Sequence, residues 1–151
     1  DAAYLDRQYG DAITYAHQAL DLSPKRYDEL TVLGVAYEQR GDYRNALVAL
    51  KAFGASCRDC GPESDALLAD VYARRHEVSR ARTTLAIARR AGADSVSPAD
   101  VAVALASMGR RAEALAWFSR LKRKYQVFAA LDPRLDVLRD DAKFREFARP
   151  A

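Results

Sequence analysis

Long apolar runs are missing from this 151-residue sequence. Its longest uninterrupted stretches are like Val101 to Ala106, far short of the roughly 20 residues that a membrane span requires. No span is expected. Residues 1–7 show no basic segment followed by an apolar one, so they do not read as a secretion signal. The sequence starts without Met and partway into a pattern, and it is expected to be a piece of a longer polypeptide. Potential metal ligands are scarce too, with two cysteines, Cys57 and Cys60, and two histidines, His17 and His76. Zinc takes four ligands, or three and a water, and His76 would lie roughly 24 Å beyond Cys60 along one helix. No metal or other cofactor is expected. A Gly-rich phosphate loop, a GxSxG elbow, a paired-carboxylate signature and any strand pattern are all lacking. Neither histidine has a Ser, Cys or carboxylate at a catalytic spacing: His17 reads as a surface residue and His76 as a helix-end residue that suits the dipole. An enzyme is not expected.

What remains is a globular composition, with 50% apolar and 30% charged residues, which excludes a disordered tail or a collagen-like chain. One domain is the expectation at this length. The net charge of +3 is unevenly spread. Acid exceeds base over residues 1–73, whereas base exceeds acid over 74–125, where Arg89–Arg90, Arg110–Arg111 and Lys122–Arg123–Lys124 fall. That stretch reads either as solvated outer helix faces or as a surface for phosphates or an acidic protein. Nucleic acid is disfavoured, because Trp117, Phe118 and Tyr125 are its main aromatics and they fall mostly in core register.

The informative feature is self-similarity. Leu30, Leu33-Gly34, Tyr37, the turn Gly41-Asp42-Tyr43, then Ala46-Leu47 and Leu50 place large, small and aromatic residues at helical spacing around a Gly-Asp turn. A shift of about 34 residues toward the N-terminus brings Tyr9, Ala12-Ile13, Ala16 and Ala19 into the second-helix positions. A similar shift forward finds Leu68-Ala69 and Tyr72, followed by Val78, Ala81, Leu85 and Ala88. A further one finds Val101-Ala102, Leu105, Gly109, Ala114-Leu115, Phe118 and Leu121. The small residues let two helices of a hairpin approach closely, and the large ones fill the space beside them. The expected fold is an all-α solenoid of about four helix hairpins, the first truncated, followed by a C-terminal capping segment. Its units are residues 1–26, 27–60, 62–95, 96–128 and 129–151.

This register resembles the tetratricopeptide repeat family over about residues 1–124, most closely in 27–60 and least in the fourth unit, which lacks the aromatic of its first helix. The remainder, Asp132-Pro133-Arg134-Leu135, Leu138-Arg139 and Asp140-Asp141-Ala142-Lys143-Phe144, is similar to the ending of tetratricopeptide regions in bacterial winged-helix regulators, nucleotide cyclases and protein kinases. There the ending reads Asp-Pro-Arg-Phe, Leu-Arg, Asp-Pro-Arg-Phe; here Leu135 replaces the first Phe and Ala142-Lys143 the second Pro-Arg. Asp132 caps a short helix begun by Pro133, and Asp140 or Asp141 caps another, with Leu135, Leu138, Phe144 and Phe147 inward. The segment is expected to cover the apolar face of the last repeat.

The resemblance implies a concave groove lined by first helices that receives a peptide or a helix. By register it comprises Tyr4, Asp28, Thr31, Val32, Val35, Glu38, Leu67, Asp70, Arg74, Ala99, Val103 and Ser107. The Lys, Arg and Asn with which family members grip a C-terminal carboxylate are replaced by Val, Thr, Leu and Asp, so a chaperone-tail clamp is not expected. The expected surface is partly aliphatic with an acidic rim at Asp28, Glu38 and Asp70, suited to an apolar segment carrying positive charge, or else wet or filled by a neighbouring element. The resulting expectation is a protein-interaction or scaffold module of a bacterial regulatory or signalling protein, binding a protein or peptide or forming a homo-oligomer. The alternative is an extracytoplasmic sensory domain of a winged-helix regulator, or a redox- or metal-responsive element at Cys57-Arg-Asp-Cys60. These cysteines read as loop residues, as a disulfide or as redox groups. The compartment stays open, cytoplasmic being favoured and periplasmic following if a membrane span lies upstream.

Overall fold

The computed structural model describes residues 2–92 and 95–149, and every regular element among them is helical. The order is α1 (Ala2–Leu5), α2 (Tyr9–Leu22), α3 (Tyr27–Gln39), α4 (Tyr43–Ser56), α5 (Gly61–Arg74), α6 (Val78–Arg90), α7 (Pro98–Ser107), α8 (Arg111–Phe118) and α9 (Arg123–Ala129). A 3₁₀ segment (Pro133–Leu138) and α10 (Ala142–Phe147) follow. None of the described helices is long and apolar enough to cross a membrane. Local chemistry sets several helix starts. The Asp42 carboxylate accepts from Asn45 N–H at 3.2 Å, and the Ser97 hydroxyl accepts from Ala99 N–H at 3.2 Å just ahead of Pro98. Asp132 and Asp141 cap the 3₁₀ segment and α10 in the same way.

Consecutive helices from α1 to α8 pack each on its neighbour, and α5 also packs on α7. The result is an all-α solenoid. Its middle wall is α5, buried from Ala66 to Ala73. Leu68 and Val71 join a core with Leu33, Leu50 and Phe53, while Ala66 and Ala69 join a second with Leu85, Leu105 and Phe118. Close approach depends on the small residues. Ala46, Ala69, Ala81, Ala102 and Ala114 are all fully buried, and a Cβ on Gly34 would stand 2.5 Å from Leu50 Cγ, a separation that real side chains do not show.

The repeat reappears in the backbone. Each hairpin turns through one residue with positive φ: Arg7 (63°), Gly41 (76°), His76 (63°) and Gly109 (76°). After each, the next N–H donates back across the turn: Gln8 to Ala3, Asp42 to Tyr37, Glu77 to Tyr72 and Arg110 to Leu105. These bonds satisfy helix-end carbonyls in the manner of a Schellman turn. Two of the four positions carry glycine, which adopts this conformation freely; Arg7 and His76 carry a Cβ that makes it costly.

Replacing His76, whose side chain is exposed, by glycine is therefore expected to raise stability by about 1 kcal/mol, read as a higher urea midpoint. A lowered midpoint would mean that the imidazole contributes more than its backbone strain removes.

Candidate functional site

Most of the residues expected to line a groove are buried or half-buried, and a C-terminal segment lies beside several of them. The 3₁₀ segment lies on the side of the first helices α1 and α7. Its packing partner is α7, and its flank reaches the first hairpin, where Tyr4 Oη donates to Asp132 Oδ1 at 3.0 Å and Arg7 Nη2 donates to Asp136 Oδ1 at 2.9 Å. Tyr4, Val35, Glu38, Leu67, Asp70 and Val103 are buried; Thr31 and Arg74 are half-buried, as are Val32, Ala99 and Ser107, and Asp28 alone of the set is exposed. What remains open near the segment is a hollow of about 300 Å³ bounded by Arg74, Ser107, Arg134 and Val137.

Arg134 is the centre of the arrangement. Asp132 folds over it, accepting from the Arg134 backbone N–H at 2.9 Å and from its guanidinium at 2.7 Å. The same Nη2 donates to Asp100 Oδ1 at 2.7 Å, linking the segment to α7. Burial alone would lower the guanidinium's pKa, but Asp132 and Asp100 more than offset it and hold the group charged. In return, although burial favours the neutral acid, Arg134 keeps Asp132 below the ordinary carboxylate range. Burial, chiefly, also pushes the Tyr4 hydroxyl well above a free phenol, so it serves here as a donor.

Two carboxyl pairs flank this ion cluster. Glu63 on α5 meets Asp100 on α7, and Glu63 Oε2 accepts from Ser97 N–H at 2.8 Å. Burial, and then the Asp100 carboxyl, push Glu63 up to about 8. Glu38 on α3 meets Asp70 on α5 beside Arg74, whose Nε lies 2.5 Å from Glu38 Oε1 and 3.3 Å from Asp70. Desolvation first, and Asp70 second, raise Glu38 well above its ordinary value, with Arg74 opposing them. Of the acidic rim expected at Asp28, Glu38 and Asp70, only Asp28 is exposed; Glu38 and Asp70 are buried, with the half-buried Arg74 guanidinium beside them. Part of the acid excess of residues 1–73 is spent inside the molecule rather than on its surface.

The other expected sites fall as follows. Cys57, at the end of α4, and Cys60, at the start of α5, are joined as a disulfide with Cα atoms 5.3 Å apart. His17 is exposed and pairs with Tyr37 Oη at 3.1 Å. At the far end, Phe118 receives Phe144 and Phe147, with ring centroids 5.1 and 5.7 Å away, so α10 covers the last hairpin while the 3₁₀ segment fills the concave face. Arg134 carried no assignment in the sequence. Its available signal was a position between Pro133 and two inward leucines in a segment already read as docked. Comparison with known proteins returns no match from family models, curated proteins or solved structures.

The raised Glu63 sets a pH dependence. Its folded value of about 8 lies above the ordinary 4.5, so its contribution to stability is complete below the ordinary value and is lost as pH rises toward 8; Glu38 acts in the same sense. Stability should fall across that window by up to about 1 kcal/mol per pH unit, measured as urea midpoints, and Glu63→Gln should flatten the slope. An unchanged slope in the variant would remove Glu63 from this role.

Proposed function

We propose that the chain is a tetratricopeptide-type protein-interaction module of a regulatory or signalling protein, with no catalytic role, and that its concave face holds a short polypeptide segment. The observation that carries the reading is the seating of residues 132–138. The Asp-Pro-Arg-Leu run, an extended Asp132 leading into a 3₁₀ turn, lies against α7, its arginine reaching Asp100 at 2.7 Å and its aspartate accepting from Tyr4 at 3.0 Å. A face that recognises its own segment by an ion pair, a hydroxyl and buried Leu135 and Leu138 has the chemistry to take a similar segment from a partner or a second copy. The family reading is supported by the residue register and by the four equivalent turns.

Weakening the internal occupant should open the face. Arg134→Met leaves Asp132 and Asp100 without their guanidinium and is expected to cost about 3 kcal/mol. A labelled peptide of residues 130–140 should then bind this variant at least about tenfold more tightly than it binds the unaltered chain, as read by fluorescence anisotropy. If the peptide binds neither form, or a scrambled peptide binds as well, the reading fails.

A second reading, a sensory domain in an oxidising compartment, is favoured by the Cys57–Cys60 disulfide, since such bonds persist where thiols are not kept reduced. Protein isolated without reductant should show no titratable thiol in its native state; two free thiols would remove this reading.

A further inference from the structure

We propose that a cationic cleft between α6 and α8, on the second-helix side of the solenoid, binds an acidic polypeptide segment that also carries apolar side chains. The cleft has a volume of about 370 Å³, an apolar floor of Val96, Val101 and Trp117, and a rim of Arg89, Arg90 and Arg120. An adjoining hollow of about 420 Å³ shares Arg89 and Arg90 and adds Arg82 and Arg110.

Several arginines elsewhere in the molecule are neutralised. Arg7, Arg74, Arg111, Arg134 and Arg139 each meet a carboxylate, and Arg110 grips Glu113 with two bonds of 2.6 and 2.7 Å. Arg82, Arg89, Arg90 and Arg120 are exposed, and no ion pair joins them to a carboxylate among the described residues. Two of them are instead held by one ring: the Arg120 guanidinium lies 3.8 Å and that of Arg89 5.0 Å from the Trp117 centroid. The ring's electron-rich face attracts each cation, while the cations repel one another. An incoming anion relieves that repulsion and finds planar donors already oriented.

The shape and floor select the kind of anion. Two contiguous hollows suit a chain rather than a compact ion. Val96 and Val101, both buried beneath the cleft, give an apolar side chain somewhere to sit between carboxylates. A nucleic acid would want a free aromatic face for its bases, and the cleft's aromatic ring already carries two guanidiniums. The concave face plays no part in this contact, so it stands or falls separately from the reading of that face.

Trp117 is the only tryptophan in the sequence, so its emission reports on the cleft directly. The full chain should bind a fluorescein-labelled peptide in which Glu alternates with Leu, and the unlabelled peptide should shift Trp117 emission. An oligoglutamate and an oligothymidylate of equal length should bind more weakly. Arg89→Ser with Arg120→Ser should weaken peptide binding at least about tenfold, with helix content checked by circular dichroism. Arg82→Glu, a fully surface change, should weaken it too and serves if the double variant does not fold. Unchanged Trp117 emission, binding indifferent to these substitutions, or tighter binding of the oligothymidylate would each overturn the proposal.

Discussion

A positive charge buried against a wall of carboxyl groups is the constraint on which the rest of this structure turns. Arg134 satisfies Asp132 and Asp100, and Tyr4 closes the cluster from the first hairpin. Without that guanidinium the concave face would present carboxyl groups from α5 and α7, a face stable only if wet. With it, the C-terminal segment can lie down, and Leu135 and Leu138 become fully buried. The electrostatic match positions the segment; the leucines supply the apolar burial that holds it. Neither contribution suffices alone, since a buried ion pair at best roughly offsets its own desolvation.

The two faces of the solenoid treat charge differently. On the concave side, Glu38 and Asp70 are buried beside Arg74, and Asp100 and Asp132 meet Arg134. On the second-helix side, Arg89 of α6 and Arg120 after α8 have no acidic partner among the described residues and lie over Trp117. The uneven charge along the sequence therefore becomes a difference between inside and outside, as well as between the two ends.

Much of the fold was legible in the sequence, because it rests on local rules. Gly34, Ala46, Ala69 and Tyr72 occupy positions whose size and spacing announce close-packed hairpins, and Gly41 and Gly109 mark their turns. The turns at Arg7 and His76 were not legible as left-handed, since only repeat register, not residue type, places them there. The groove residues were placed on one face by the same register, but its occupant was hidden. Charged side chains such as Glu38, Asp70 and Arg134 are read as solvated unless a partner is in view, and their partners come from segments far away in the chain. The Cys57–Cys60 pairing was one reading among several, as spacing alone does not choose between thiols and a disulfide.

Repeat arrays ordinarily contact only their neighbours, so that each unit can fray or form almost independently, like links in a spring. Here the bonds from Tyr4 to Asp132 and from Arg7 to Asp136 span sequence separations of 128 and 129 residues. They work as a clasp. By fastening the first hairpin to the C-terminal segment, they make unzipping from the N-terminal end sever contacts with the other end as well. The coil is thereby moved from a linear polymer of small units toward something closer to a ring.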